Sequence, residues 1–360
     1  MRAAIITLHN VCNYGTQLQA YATQEILKDY YDEVEFINFK RKDTYGIELL
    51  KTFTGKNYLK AIPIIPTLVK WKKIFGGFQR RYLNISTKEY LCDNDFLDFS
   101  DEYDVYYSGS DQVWNCGWNK GVIPPFYLSF VPDQKNKYAF SSSFGQNEVE
   151  EKFVADSLKY IKRFDYITVR EKSGVDILKK QYGYDQASNI LDPTLMLDSE
   201  YWRKHAPKTL IKDRYILIYN LQRNPKLDLF AENLSKRTGY KLYRFCTRYD
   251  QIVRNGKSIL IPDIFEFITL IDNAEFVVTD SFHATAFSMN LNTEPICIYP
   301  KKYQGRIEEF LALLKEEKRH LNDIDDLDII DRHVNFEYVN EVLLKERRKA
   351  RKIIETNLLF

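Results

Sequence analysis

AAIITLHNVCNYGTQLQAYATQEILKDYYDEVEFIN, residues 3–38, decides the fold class. Ala3 to Leu8 is a compact apolar run and reads as a buried strand. His9 to Gly15 (HNVCNYG) is a polar loop that ends in glycine. Thr16 to Tyr30 repeats apolar residues at helical spacing, and Glu33 to Asn38 returns to a strand. Strand, helix and strand in succession make a βαβ unit and predict a parallel sheet in an α/β domain. The 9–15 loop then lies at the carboxyl end of the first strand, where such sheets hold ligands.

The pattern recurs along the chain. Tyr103 to Ser108, Lys137 to Ser143 and Tyr166 to Val169 read as strands, each ending in a short polar or glycine element. A helix follows near Gly174 to Tyr182, and Ile190-Leu191 leads into Asp192-Pro193-Thr194. A second series has strands at 215–219, 241–245, 276–279 and 295–299, with helices at 225–238, 264–272 and 284–289. A chain of 360 residues exceeds one ordinary core, so two domains are expected. The resulting fold class is α/β, with two Rossmann-like domains facing a cleft. The expected boundaries are 1–200 and 205–335, a linker around 198–213 and a basic terminal helix over 336–360. Segment 59–83 holds six Lys/Arg and no acid, and reads either as a mobile basic–aromatic insertion able to lie on an anionic membrane or as a solvated surface insertion.

Composition narrows the function. A net charge of +2 argues against a dedicated nucleic-acid binder. Aromatics reach 15% with 26 Tyr, which suits the stacking of rings on sugar faces or simply reflects AT-rich codon usage. The five cysteines form no CxxC pair, so neither a disulfide framework nor a zinc knuckle is expected. The run in MRAAIITLHN is too short for a signal peptide, and no stretch approaches the length of a membrane span. A cytoplasmic protein is expected, with the basic segments compatible with contact at the inner face of the membrane. No Walker loop, no GxGxxG after the first strand and no metal cluster is present.

The strongest local signal is FVVTDSFHATAFSMN, residues 276–290. A buried strand runs into Thr-Asp-Ser, then His283, then a helix of small residues. Such a helix start offers free N–H groups and a positive dipole end, to which Ser281 adds a hydroxyl, and together they suit an anion. His283 at its edge could bind a phosphate or carboxylate, or exchange a proton. The plainer alternative is that Asp280 or Ser281 caps the helix and His283 is structural. Arg170 in VREKSG could bind an anion in bidentate fashion or pair with Glu171 or Asp192. Arg306, opening a helix in GRIEEF, is a further candidate anion ligand. In SGSDQVWN, Asp111, Gln112 and Asn115 could bind sugar hydroxyls with Trp114 as a stacking face, and Gly109 would let the backbone approach a ligand. The loop NYGTQLQ, with Asn13, Tyr14 and Gln17, has the same character.

Taken together, NYGTQLQAYA, SGSDQVWN, SSSFG, VREKSG, ILDPTL, EFITLIDNAEFVVTDSFHATAFSMN and GRIEEFLALL resemble the polysaccharide pyruvyl transferase family, in its order and from about residue 3 to about 315. The resemblance implies a fold similar to GT-B glycosyltransferases. It implies phosphoenolpyruvate as co-substrate, with no other cofactor and no metal. The acceptor implied is a sugar hydroxyl pair, of galactose type, free or on a polyprenyl diphosphate carrier, and the product is a cyclic ketal. The family's motif histidine maps onto His283. Some members carry Arg two residues before it, where this chain has Ser281, and many carry Gly after it, where this chain has Ala284. Arg170, Ser281, Arg306 and the helix start would hold the donor, with His283 as acid or phosphate ligand. Asp111 would orient the hydroxyls. The rival readings are a GT-B glycosyltransferase using a nucleotide sugar and a non-catalytic sugar-binding protein.

Overall fold

The computed structural model describes residues 1–55, 64–100, 102–300 and 305–359. Twelve strands are formed among them: β1 (Arg2–Ile6), β2 (Glu33–Phe39), β3 (Ile85–Tyr90), β4 (Val105–Ser108), β5 (Asn136–Ser142), β6 (Tyr166–Val169), β7 (Ala187–Asn189), β8 (Tyr215–Tyr219), β9 (Lys241–Cys246), β10 (Lys257–Leu260), β11 (Phe276–Thr279) and β12 (Glu294–Cys297). They build two parallel sheets, in the orders β3-β2-β1-β4-β5-β6-β7 and β10-β9-β8-β11-β12. The architecture is α/β, as residues 3–38 predict. Central strands such as Ala3–Ile6 and Ile216–Ile218 are wholly buried, because a parallel sheet with helical crossovers is covered on both faces.

The chain divides into two compact units, Met1–Thr52 with Phe78–Met196 and Glu346–Phe360, and Phe53–Gly77 with Leu197–Lys345. The boundary between the two sheets falls near residue 200, but two pieces are placed otherwise than expected: one expected in the first unit falls with the second, and one expected to stand apart ends in the first. The first is the front of the basic segment. Its residues 59–63 lie outside the described residues; the rest is helix Ile65–Tyr82. Thr67, Trp71, Ile74, Phe75 and Phe78 are buried along one stripe while Lys72, Lys73, Arg80 and Arg81 are exposed. Trp71 Nε1 donates to Thr247 O at 2.7 Å and Thr67 Oγ1 accepts from Tyr249 N at 3.1 Å, so the helix is fastened to the loop after β9. The second piece is the end of the terminal helix Phe336–Asn357. Leu358 is buried in the first unit, and its carbonyl accepts from Tyr107 Oη at 2.5 Å.

The stretch expected as a linker, 198–213, contains helix Ser199–His205. Its Trp202 is fully buried and packs edge-on to Phe287 at 5.1 Å. Among the described residues no helix is long and apolar enough to cross a membrane. Trp202 anchors the entry to the second unit. Trp202→Ala is expected to cost about 3–5 kcal/mol, seen in urea unfolding as a lower midpoint for that unit.

Candidate functional site

Each sheet has one place where successive strands are laid down in opposite directions, and the loops leaving it open a crevice. In the first unit that place lies between β1 and β4. Asp111, three residues past β4, has φ 76°, a left-handed conformation that Asp tolerates better than most side chains. Its Oδ2 accepts from Thr16 Oγ1 at 2.7 Å, which ties the loop after β4 to the helix after β1. Gly109 serves the same closure: a Cβ there would stand 2.9 Å from Thr7 Cβ, so the glycine lets its loop lie on β1 rather than on a ligand.

Arg170 completes the arrangement. Its Nε donates to Glu171 at 2.8 Å, Nη1 to Asp192 at 2.8 Å and Nη2 to Asp111 at 3.3 Å, with the side chain 1% exposed. Burial opposes the charge, but Glu171, Asp192 and Asp111 outweigh it and raise the guanidinium's pKa above its ordinary value. Ser143 Oγ donates to Glu171 at 2.9 Å, and Thr194 Oγ1 to Asp192 at 2.6 Å. Where the sequence offered Arg170 as a donor ligand, the structure shows its planar fork engaged by three carboxylates. What it does is fix Asp111.

The acceptor candidates are mostly consumed by the fold. Trp114 is fully buried, stacked on Tyr127 at 5.5 Å, with Nε1 donating to Phe126 O at 3.1 Å, so it has no face for a sugar. Tyr14 and Gln17 are fully buried, and Gln17 Nε2 braces the 9–13 loop through His9 O (2.6 Å) and Val11 O (2.9 Å). Asn115, also buried, caps helix Cys116–Asn119 and donates to Gln112 Oε1 at 2.6 Å. Asn13 caps helix Tyr14–Leu27. Of the six, only Asn13 and Gln112 keep partial exposure.

A cavity that the motifs did not point to opens in the same unit, past the carboxyl ends of β2 and β3. Its volume is about 500 Å³, and Arg41, Asp43, Asp93, Asn94, Asn119 and Lys120 line it together with Phe39, Leu91 and Ile123. Arg41 is fixed there by Asp43 (Nε to Oδ1, 3.0 Å), by Asn119 (2.6 Å) and by the Trp118 ring 4.1 Å below it. Burial raises the pKa of Asp93. The available signal was the charged run Lys40–Asp43 placed directly after a strand, a position that favours ligands in such sheets.

In the second unit the reversal lies between β8 and β11. Thr279 Oγ1 donates to Tyr219 O at 2.8 Å and accepts from Ser281 N at 3.0 Å, setting the turn. Ser281 caps helix Phe282–Leu291 through Ala284 N at 3.4 Å. Asp280 accepts from Leu221 N and Gln222 N, both at 2.8 Å, and so ties the loop after β8 to the turn after β11. Burial pushes its carboxyl up to about 6 against the pull of those amides. His283 lies in the first helical turn, 7% exposed, edge-on to Phe282 at 5.3 Å. The Arg306 guanidinium stands 5.7 Å from the Phe282 ring. Ser281, His283 and Arg306 are thus brought to one end of one sheet.

The sequence model of the polysaccharide pyruvyl transferase family matches residues 13–302. The chain belongs to this family. It is accordingly a transferase of polysaccharide biosynthesis. No curated protein sequence matches. Among solved structures, UDP-GlcNAc 2-epimerase from Methanocaldococcus jannaschii is similar at 11% identity, covering 99% of this chain and 100% of that one, with a TM-score of 0.51. A putative UDP-N-acetylglucosamine 2-epimerase from Listeria monocytogenes is similar at 10% identity, covering 97% and 96%, with a TM-score of 0.50. At these identities the likeness is one of fold, of GT-B type.

Removing Arg170 strands three carboxylates in the interior. Arg170→Met should lower stability by about 3–5 kcal/mol at pH 7. The abandoned carboxyls would hold protons more tightly folded than unfolded, so the deficit should shrink as pH falls; denaturant titrations at pH 7 and pH 5 read this. Asp280 obeys the same sign. Folded, it keeps its proton to about 6, against 3.8 unfolded. Its contribution is full below the lower value and lost as pH rises through the upper one, roughly 3 kcal/mol in all. Asp280→Asn should flatten the pH 4–6 slope of stability.

Proposed function

We propose that the chain moves the pyruvyl group of phosphoenolpyruvate onto two hydroxyls of a sugar, forming a cyclic ketal and releasing phosphate. One observation carries the reading: the family match spans 13–302 and includes the Thr-Asp-Ser-Phe-His turn, with His283 in the first turn of a buried helix. Phosphoenolpyruvate brings two anionic groups. Ser281, the helix N–H groups and Arg306 are the donors that would hold them. The methylene carbon must gain a proton to make C2 electrophilic, and His283 is the group assigned to deliver it or to hold the phosphate. The first hydroxyl forms a C–O bond to C2, phosphate departs with the old C–O electron pair, and the second hydroxyl closes the ring. Of the two hydroxyl protons, one balances that added to carbon and the other leaves on phosphate.

Hydroxyls need acceptors to orient them. Asp111, fixed by Arg170 and Thr16, is the proposed orienting carboxylate. A lipid-linked acceptor at a membrane face is supported by the exposed Lys345, Arg348, Lys349, Arg351 and Lys352 of the terminal helix.

The test is phosphate release from phosphoenolpyruvate with and without galactose-containing acceptors. Acceptor-dependent release is expected. His283→Ala and His283→Gln should lower kcat by about 10²–10⁴-fold while the unfolding temperature stays at the parent value. Stabilisation by a nucleotide sugar, with no release from phosphoenolpyruvate, would instead establish glycosyl transfer.

A further inference from the structure

The loops after β8 and β9 carry more positive than negative charge. Arg223 follows β8 and Arg248 follows β9, and the two share a single carboxylate. Arg223 Nη2 donates to both oxygens of Asp250, at 3.1 and 2.9 Å, and Arg248 Nη2 donates to Oδ2 at 3.1 Å. Just below, Arg244 and Arg254 share Asp228 in the same way, at 3.0 and 2.9 Å. Four guanidiniums thus face two aspartates, with Asp280 the third carboxyl nearby. Arg244 is drawn into the interior, while Arg223, Arg248 and Arg254 keep part of their surface in water. Arg244 is 2% exposed, and its Nη2 is buried without a hydrogen-bond partner. The Phe53 ring lies 4.7 Å from the Arg248 guanidinium, whose Nε stands 3.1 Å from Asp250 Oδ1.

The loops are held in place. Arg223 has φ 55°, a conformation unfavourable for a long side chain. Its two predecessors are pinned by the Asp280 carboxylate. Arg248 precedes Tyr249, whose amide is bonded to Thr67, and follows Thr247, whose carbonyl accepts from Trp71. Because Asp280 belongs to the turn before Ser281 and His283, Arg223 comes within a few residues' reach of that helix start. The crevice between β8 and β11 is the place where this sheet type takes a ligand.

We infer that Arg223 and Arg248 form a clamp for the phosphate group of the donor, with Asp250 holding the pair apart and in register. This rests on the phosphoenolpyruvate reading for the donor's identity, but the clamp's own chemistry asks only for a phosphate monoester or inorganic phosphate. Arginine matches a phosphate in bidentate geometry. One carboxylate between two guanidiniums leaves a positive charge, and Arg223 uses only Nη2 on Asp250. Burial, followed by the proximity of Arg223, lowers the pKa of Arg248, while Asp250 raises it. A second anion would ease that repulsion.

The experiment uses the full chain, with thermal unfolding followed against inorganic phosphate and against phosphoenolpyruvate. The parent protein and Lys73→Gln, which removes an exposed charge, should both be stabilised by either anion. Arg223→Gln and Arg248→Gln should lose the response to both, with an apparent Kd raised at least tenfold. Arg223→Lys and Arg248→Lys should recover part of it, which a merely structural role would not produce. If the glutamine variants fold and respond like the parent, or if the parent responds to neither anion, the clamp is overturned. If the phosphate response depends on Arg248 but no acceptor yields phosphate release from phosphoenolpyruvate, the pyruvyl reading falls and the clamp stands.

Discussion

The bond set around Arg170 is the constraint on which the first unit depends. One guanidinium draws together the carboxyl ends of β4, β6 and β7, and Ser143 adds that of β5. Parallel strands are linked to one another only by ladders and crossover helices, so their exit loops have no intrinsic register. A buried cation with three directional donor edges supplies one. It does so at a desolvation cost that only complete pairing offsets, and Arg is the residue whose planar fork can complete it. Thr16 carries the same order across to the helix after β1.

The second unit solves the same problem with the opposite charge. Asp280 joins the turn after β11 to the loop after β8 by accepting two backbone amides. An acceptor bonded only to N–H groups keeps no cation beside it, and burial therefore acts on its proton affinity directly. That is why the Asp280 carboxyl is driven up to about 6.

The fold was legible where burial was two-sided. Strands at 215–219 and 276–279 and helices at 225–238 and 264–272 lie where the apolar runs put them. The strands left unread are β3, β7 and β10, and all three are sheet edges. ISTKEY and ASN have no continuous apolar run, because an edge strand needs only part of its surface covered. The candidate site was legible in part. TDSFH could be read because a strand running into a capped helix of small residues leaves few alternatives. SDQVWN could be read less far, because density of hydrogen-bonding groups does not distinguish a loop that binds a ligand from one that binds itself. Gln17, Asn115 and Trp114 spend their polar atoms on their own backbone and neighbours. The cavity near Arg41 and the arginines after β8 and β9 depend on residues far apart in sequence, which no local motif joins.

A net charge of +2 over 360 residues hides a sorting of charge between the two ligand-facing sheet ends. In the first unit Arg170 meets three carboxylates, while the cavity near Arg41 sets Arg41, Lys42 and Lys120 against Asp43 and Asp93; in the second, four arginines meet two aspartates, and burial pushes the Asp280 carboxyl up to about 6. A neutral polyol offers O–H donors and is best oriented by acceptors that are themselves fixed. A phosphorylated acid offers only acceptors at its anionic groups and needs donors and positive charge. The carboxylates around Arg170 are of the kind that suits the first ligand, and the arginines after β8 and β9 are of the kind that suits the second. Whole-chain composition could not have revealed these local charge groupings, since they nearly cancel in the sum.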